Sequence, residues 1–311
     1  MADSKKITRP GKLQPGDAVG VVAPAGPVDS DFLDKGIKVI KRMGFKPALG
    51  KYVQSRNGFL AGTDKDRAAD LMDMFINPEI KAVFCARGGY GVNRVLPRLK
   101  PDVIRKNPKI LVGASDITLL LLYLNQRCSQ VAFHGPMVAG NFGRHPMKKT
   151  RKQFQDILTG QSQGKLLVSP RAKVLQPGVA QGQVTGGCLT LLCRSLKTPC
   201  EIQTRNKILL IEDVNEPPYK IDGMLWQLKA AGKFRGIKGI ILGEMVNCGL
   251  AKGKKDSLDT VYKEVFDGLS IPIVRNFPIG HGREMWTVPF GVDATLDAES
   301  KSLHFEHCGV E

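Results

Sequence analysis

PKILVGASDITLLLLYLNQR, residues 108–127, passes from an apolar strand at Ile110, Leu111 and Val112 through Gly113 and Ala114 to Ser115. An apolar helix follows at once, from Ile117 to Leu124. A tight strand-to-helix turn holds a serine hydroxyl clear of the backbone. The helix behind it directs free N–H groups and a partial positive charge at any anion formed beside that hydroxyl. This is the placement of an activated nucleophile. It is not a G-x-S-x-G elbow, because Ile117 follows Asp116 where that motif has glycine. From these residues alone a second reading stays open, in which Ser115 or Asp116 only caps the helix.

The same alternation extends on both sides. Upstream, residues 18–23 (AVGVVA) read as a buried strand ending in Pro24-Ala25-Gly26-Pro27. Asp29 or Ser30 can cap a helix to about Met43, with Leu33, Ile37, Ile40 and Met43 on one face. A short strand near 47–49, a helix from the cap Thr63 to about Phe75 and a strand at 81–85 (KAVFC) follow. That strand ends in Ala86-Arg87-Gly88-Gly89-Tyr90-Gly91, with a helix starting near Val92; residues 131–133 form a further strand. Alternating strands and helices predict an α/β fold with a doubly wound parallel sheet, flavodoxin- or Rossmann-like. Functional loops in such sheets lie beyond the carboxyl ends of the strands, so the turns at 24–27, 86–91 and 113–116 should share one edge.

The pattern breaks at 143–182, read as a crossover with a helix near 152–158. A second, smaller mixed α/β unit then spans 183–311, against 1–142 for the first, with the active site at their junction. Its expected helices are 188–196, 220–231 and 258–269. Its expected strands are 207–212 (KILLIE), 239–242, 271–274, 286–290, 293–296 and 302–305.

Composition narrows the classes. A chain of 311 residues with 42% hydrophobic content can bury a sizeable core. The longest apolar run, 119–124, is too short to cross a bilayer, and the N-terminus lacks an apolar signal region. Seven cysteines, an odd number with no C-x-x-C pair, argue against a disulfide framework and a zinc site, so neither metal nor cofactor is expected. A reducing cytoplasm is the simplest home. The net charge of +17 is dispersed, with short clusters at 148–152 and 252–255 and few aromatics. That speaks against specific nucleic-acid binding and for attraction of an acidic small substrate, or simple solubility.

A serine nucleophile needs a base, and the base an orienting acid. Of the five histidines, His304 and His307 fall in a polar tail, His145 in the basic crossover, and His134 reads as a packed, hydrogen-bonded residue. His281 stands apart between Gly280 and Gly282 after an apolar run. Glu212 and Asp213 end the apolar KILLIE strand, where a carboxylate costs desolvation energy unless paired; Glu216 and Asp222 are runners-up. An idle loop histidine and an ordinary surface acid remain the plain alternatives.

Together the motifs Val21-Val22-Ala23-Pro24-Ala25, Ala86-Arg87-Gly88-Gly89-Tyr90-Gly91, Gly113-Ala114-Ser115-Asp116, His134-Gly135-Pro136, Gly186-Gly187, Glu212-Asp213 with Glu216 and Tyr219-Lys220-Ile221-Asp222, and Gly280-His281-Gly282 resemble those of the LD-carboxypeptidases. The resemblance covers residues 12 to 300. It implies a serine peptidase with the triad Ser115, Glu212 and His281, the serine in the first domain and the others in the second. It also implies release of terminal D-alanine from meso-diaminopimelate in murein tetrapeptides during cytoplasmic cell-wall recycling, by a homodimer; the short apolar runs add the expectation of no membrane partner. Backbone N–H groups of Gly88 and Asp116 would hold the oxyanion, and Arg87, with Gly89, is a candidate for the substrate's carboxylate. Where the family often carries an arginine this chain has Gly223. Within the family the alternative is a microcin-immunity-type amidase acting on acyl-nucleotide conjugates, with an aromatic on a longer loop. Here the only tryptophans are Trp226 and Trp286. A non-catalytic binding module is the reading from another class.

Overall fold

A computed structural model describes residues 7–249 and 258–311. The basic cluster at 252–255 and the first six residues of the lead-in lie outside them. The first half of the chain runs β1 (Ala18–Val22), α1 (Ser30–Arg42), β2 (Lys46–Leu49), α2 (Asp64–Ile76), β3 (Ile80–Cys85), α3 (Val92–Val95), α4 (Pro101–Lys106), β4 (Ile110–Gly113), α5 (Thr118–Arg127) and β5 (Ala132–His134). These strands form one sheet in the order β2-β1-β3-β4-β5, every pair parallel. The local signals explain the helix starts. The Asp29 carboxylate accepts from the Phe32 N–H, and Thr63 and Asp66 form a reciprocal capping box.

The second half comprises α6 (Lys148–Leu158), β6 (Leu166–Val168), β7 (Lys173–Gln176), β8 (Val179–Cys188), α7 (Leu189–Ser195), β9 (Lys207–Val214), α8 (Pro218–Ala230), β10 (Gly239–Val246), α9 (Leu258–Val265), β11 (Ile273–Gly280), β12 (Val288–Phe290), β13 (Asp293–Asp297) and β14 (Ser302–Phe305). Eight of its strands form a mixed sheet, β6-β14-β13-β8-β9-β10-β11-β7, with β8 to β11 parallel. The ninth, β12, leaves to pair antiparallel with β5 at the edge of the first sheet.

Helix α5 shows how the two layers meet. From Leu119 to Leu124 it is apolar and buried on every side. Leu119, Leu120, Leu121 and Leu124 pack into the first core, while Leu122 joins Leu189, Leu192 and Ile211 in the second. The helix behind Ser115 is therefore clamped between the two sheets.

Several boundaries differ from the sequence expectation. Strand β9 runs to Val214, which puts Glu212 and Asp213 inside the strand. Strand β8 takes in Cys188, and β11 continues to Gly280. The crossover at 143–182 holds β6, β7 and the start of β8. Strands β6 and β7 are short, largely exposed edges of the eight-stranded sheet, so they carry no apolar alternation to read.

Candidate active site

Ser115 follows β4 in a single 3₁₀ turn, Ser115–Ile117, with φ of +63°. A non-glycine residue in that left-handed region costs roughly 1–3 kcal/mol and is held only where its surroundings impose it. No side-chain capping bond forms at this turn or at α5, so the hydroxyl is not consumed as a cap. Gly88 lies directly against it: a Cβ at Gly88 would fall 2.6 Å from Ser115 Cβ and 2.9 Å from Oγ. The three turns do share one edge. Gly26 N–H donates to Gly88 O at 3.0 Å, and buried Arg67 ties Pro24 O and Gly91 O at 2.7 and 2.9 Å. The Asp116 carboxylate accepts from Val92 N–H at 2.8 Å. Burial raises its pKa, opposed by that hydrogen bond and more weakly by Arg194 and Arg67. Arg87 is exposed and donates to Pro27 O at 2.6 Å, bracing the same turns. Gly89 is exposed and its backbone abuts Gly26.

Glu212 is completely buried in β9 and its Oε2 lies 2.6 Å from His281 Nδ1. Gly280 makes this approach possible. Its φ is +122°, and a Cβ there would sit 2.6 Å from Glu212 Oε2. Burial lowers the His281 pKa, but the charge of Glu212, its hydrogen bond and the charge of Asp213 together prevail, so the net shift is upward. Glu212 Oε1 has no partner among the described residues. Strand alternation turns Asp213 to the other face, where it accepts from Thr190 N–H at 2.8 Å and Thr190 Oγ1 at 2.9 Å. Glu216 pairs with Lys220 at 3.3 Å, and Asp222 lies on α8.

Two unheralded residues connect these halves. Cys188 stands opposite Glu212 in the β8–β9 register, and its N–H donates to Thr118 Oγ1 at 3.1 Å. Gly187 leaves no room for a side chain there, since a Cβ would lie 2.6 Å from Thr118 Oγ1. Glu212 is thus one strand away from a residue bonded to the first turn of α5, three residues after Ser115. Ser115 itself is hydrogen-bonded to neither Glu212 nor His281 among the described residues. Thr118, a polar residue opening an apolar helix, and the glycine pair before Cys188 were the only signals of this joint in the sequence.

His134 is packed as expected but not hydrogen-bonded. Both ring nitrogens lack partners among the described residues, the ring stacks on Phe290, and burial pushes its pKa down to about 4. It lies opposite Gly113 in the sheet, and His281 and Glu212 act on it in opposite directions. Trp286 is 9% exposed and packs edge-on against Phe277, whereas Trp226 is exposed on α8 beneath Lys229. Among the described residues no cluster of three metal-ligating side chains occurs, and no helix is long and apolar enough to cross a membrane.

Comparison with known proteins agrees with this layout. The model of the LD-carboxypeptidase N-terminal domain matches residues 19–135, and that of the C-terminal domain residues 181–296. A probable murein peptide carboxypeptidase of Bacillus subtilis is 40% identical over 304 residues, covering 96% of this chain and 94% of that protein. The murein tetrapeptide carboxypeptidase of Pseudomonas aeruginosa is 32% identical over 287 residues, covering 90% and 92%. Among solved structures, the microcin C7 self-immunity protein in complex with aspartyl sulfamoyl adenosine superposes with a TM-score of 0.91 at 26% identity, covering 98% of this chain and all of that one.

Proposed function

The chain belongs to the LD-carboxypeptidase family, and from that premise we propose that it removes terminal D-alanine from murein tetrapeptide by a Ser115–His281–Glu212 mechanism. The observation that carries the proposal is the buried 2.6 Å contact between Glu212 and His281, reached from the Ser115 turn through Thr118 and Cys188. Residues 1–142 carry the nucleophile, 183–311 the acid and the base, and 143–182 join them.

In this reading Ser115 Oγ attacks the carbonyl of the last peptide bond while His281 Nε2 takes its proton. The Nδ1–H stays on Glu212, which fixes the tautomer and offsets the charge of the imidazolium. His281 then protonates the leaving D-alanine, and water repeats the sequence on the acyl-enzyme. The N–H groups of Gly88 and Asp116 hold the oxyanion; Gly88 suits this because its backbone already touches the serine side chain. Arg87, exposed beside Gly89, takes the terminal carboxylate of the substrate. The +17 charge draws in a peptide rich in carboxylates. The enzyme acts as a cytoplasmic homodimer in cell-wall recycling.

The test offers the protein L-Ala-γ-D-Glu-meso-diaminopimelate-D-Ala and, separately, a glutamyl or aspartyl sulfamoyl nucleoside. Release of D-alanine with the nucleoside left intact supports the murein reading. Cleavage of the nucleoside alone would move the enzyme to the microcin-immunity branch.

A further inference from the structure

A cavity of about 350 Å³ is lined by Arg171, Glu244, Met245, Val246 and Asn276, and its Glu244 wall adjoins the His281 loop at Gly282. Glu244 stands opposite Gly280 where the β10–β11 register shifts. Its carboxylate is pressed against Gly282, the residue after His281, so closely that a side chain at Gly282 has no room. Its Oε2 is buried with no hydrogen-bond partner among the described residues. Burial raises the Glu244 pKa, and Arg171 is the foremost influence opposing it.

Arg171 sits in the turn between β6 and β7. It reaches over to the His281 loop, where its Nη2 donates to Glu284 Oε2 at 3.0 Å. A guanidinium has five N–H donors, so this bond leaves an edge for another carboxylate. Among the described residues no ion pair joins Arg171 to Glu244, although both line the same space. A cation and an anion across one cavity, with the apolar walls of Met245 and Val246 between them, match a free amino-acid zwitterion carried on a methylene arm.

We propose that this cavity binds the free amino-acid end of the residue preceding the scissile bond, with Arg171 taking its carboxylate and Glu244 its ammonium group. The inference rests on the murein reading, in which that residue is meso-diaminopimelate. One end of diaminopimelate lies in the peptide chain, and the other is an unsubstituted amino acid at the end of a short methylene arm. The cavity then sets specificity through a part of the substrate that does not react.

The test compares kcat/KM for two tetrapeptides that differ only at the third residue, meso-diaminopimelate or L-lysine. Lysine keeps the ammonium group and lacks the carboxylate. The intact protein should prefer the diaminopimelate peptide by about 10- to 100-fold, the range of one charge-assisted contact at a site built to receive it. Arg171→Ala should lower kcat/KM for that peptide by the same factor, mainly through KM, leave the lysine peptide unchanged, and so erase the preference. Arg171→Lys should restore part of it. Glu244→Gln should lower kcat/KM for both peptides alike, because both carry the ammonium group. Circular dichroism and melting temperature of each variant separate loss of fold from loss of contact. D-alanine release with an unchanged preference in Arg171→Ala, or an equal fall for both peptides, would overturn the inference and leave the murein reading intact. No release from either peptide by the intact protein would overturn both.

Discussion

Replacing Glu212 by glutamine removes one charge from the buried site and keeps its shape. At 2.6 Å, with an effective dielectric of about 20, a carboxylate and a full imidazolium attract by about 6 kcal/mol. Only part of that charge has developed in the transition state, so about 3–5 kcal/mol, or roughly 10²–10⁴ in kcat/KM, should be lost. The pH profile gives a second, independent signature. The base works only when neutral, so activity falls as pH drops through the His281 pKa. In the intact site burial lowers that pKa, but Glu212, through its charge and its hydrogen bond, lifts it above the ordinary value. Glu212→Gln removes the carboxylate charge, leaving burial opposed only by a neutral hydrogen bond and the charge of Asp213, so the acid limb of the profile should move to lower pH while the plateau drops. The assay is D-alanine release between pH 4.5 and 9. A variant within tenfold of the intact enzyme, or one whose acid limb stays in place or moves up, would refute the assignment of Glu212 as the orienting acid.

Three further outcomes follow from the same geometry. Gly88→Ala keeps its N–H but sets a methyl group 2.6 Å from the Ser115 Cβ, so the serine or the turn must shift; it should lower kcat by about 10²-fold and cost about 1–3 kcal/mol in stability, and near-wild-type turnover with an unchanged melting temperature would show that the Gly88 backbone does not fix the Ser115 side chain. Thr118→Val leaves the Cys188 N–H unpaired in the joint between the sheets and should cost about 1–3 kcal/mol in urea unfolding together with activity, whereas an unchanged midpoint would show that the joint is held by packing alone. His134, held at a pKa of about 4, must stay neutral in the folded protein, so the native state loses up to roughly 3 kcal/mol as pH falls from 6.5 to 4; His134→Leu should flatten that decline, and an unaltered pH dependence of unfolding would exclude the mechanism.

Much of this was legible in the sequence because the signals were local. The strand–turn–helix grammar around Ser115 predicts the parallel sheet and the edge where its turns gather, and the Asp29 and Thr63 caps lie where helix-start chemistry puts them. The Gly280-His281-Gly282 loop and the acid in the KILLIE strand were singled out by residue type, and the structure brings those two side chains into contact. What stayed hidden depends on long-range pairing. Strands β6 and β7 exist because an edge was free to receive them, and β12 crosses to the first sheet although its sequence resembles that of its neighbours. Thr118 and Cys188 meet across 70 residues, which no periodicity can foretell. His134 reads as a satisfied histidine from its setting, yet the packing around it supplies Phe290 and no hydrogen-bond partner among the described residues.

The central claim is that the Ser115 hydroxyl is the nucleophile, and it is tested most directly by D-alanine release from murein tetrapeptide with the intact protein and Ser115→Ala side by side. The account predicts steady release by the intact protein and a fall of at least about 10⁴-fold in a variant that keeps the same melting temperature. Equal release by both proteins would contradict it and leave Ser115 a strained turn residue with no part in the chemistry.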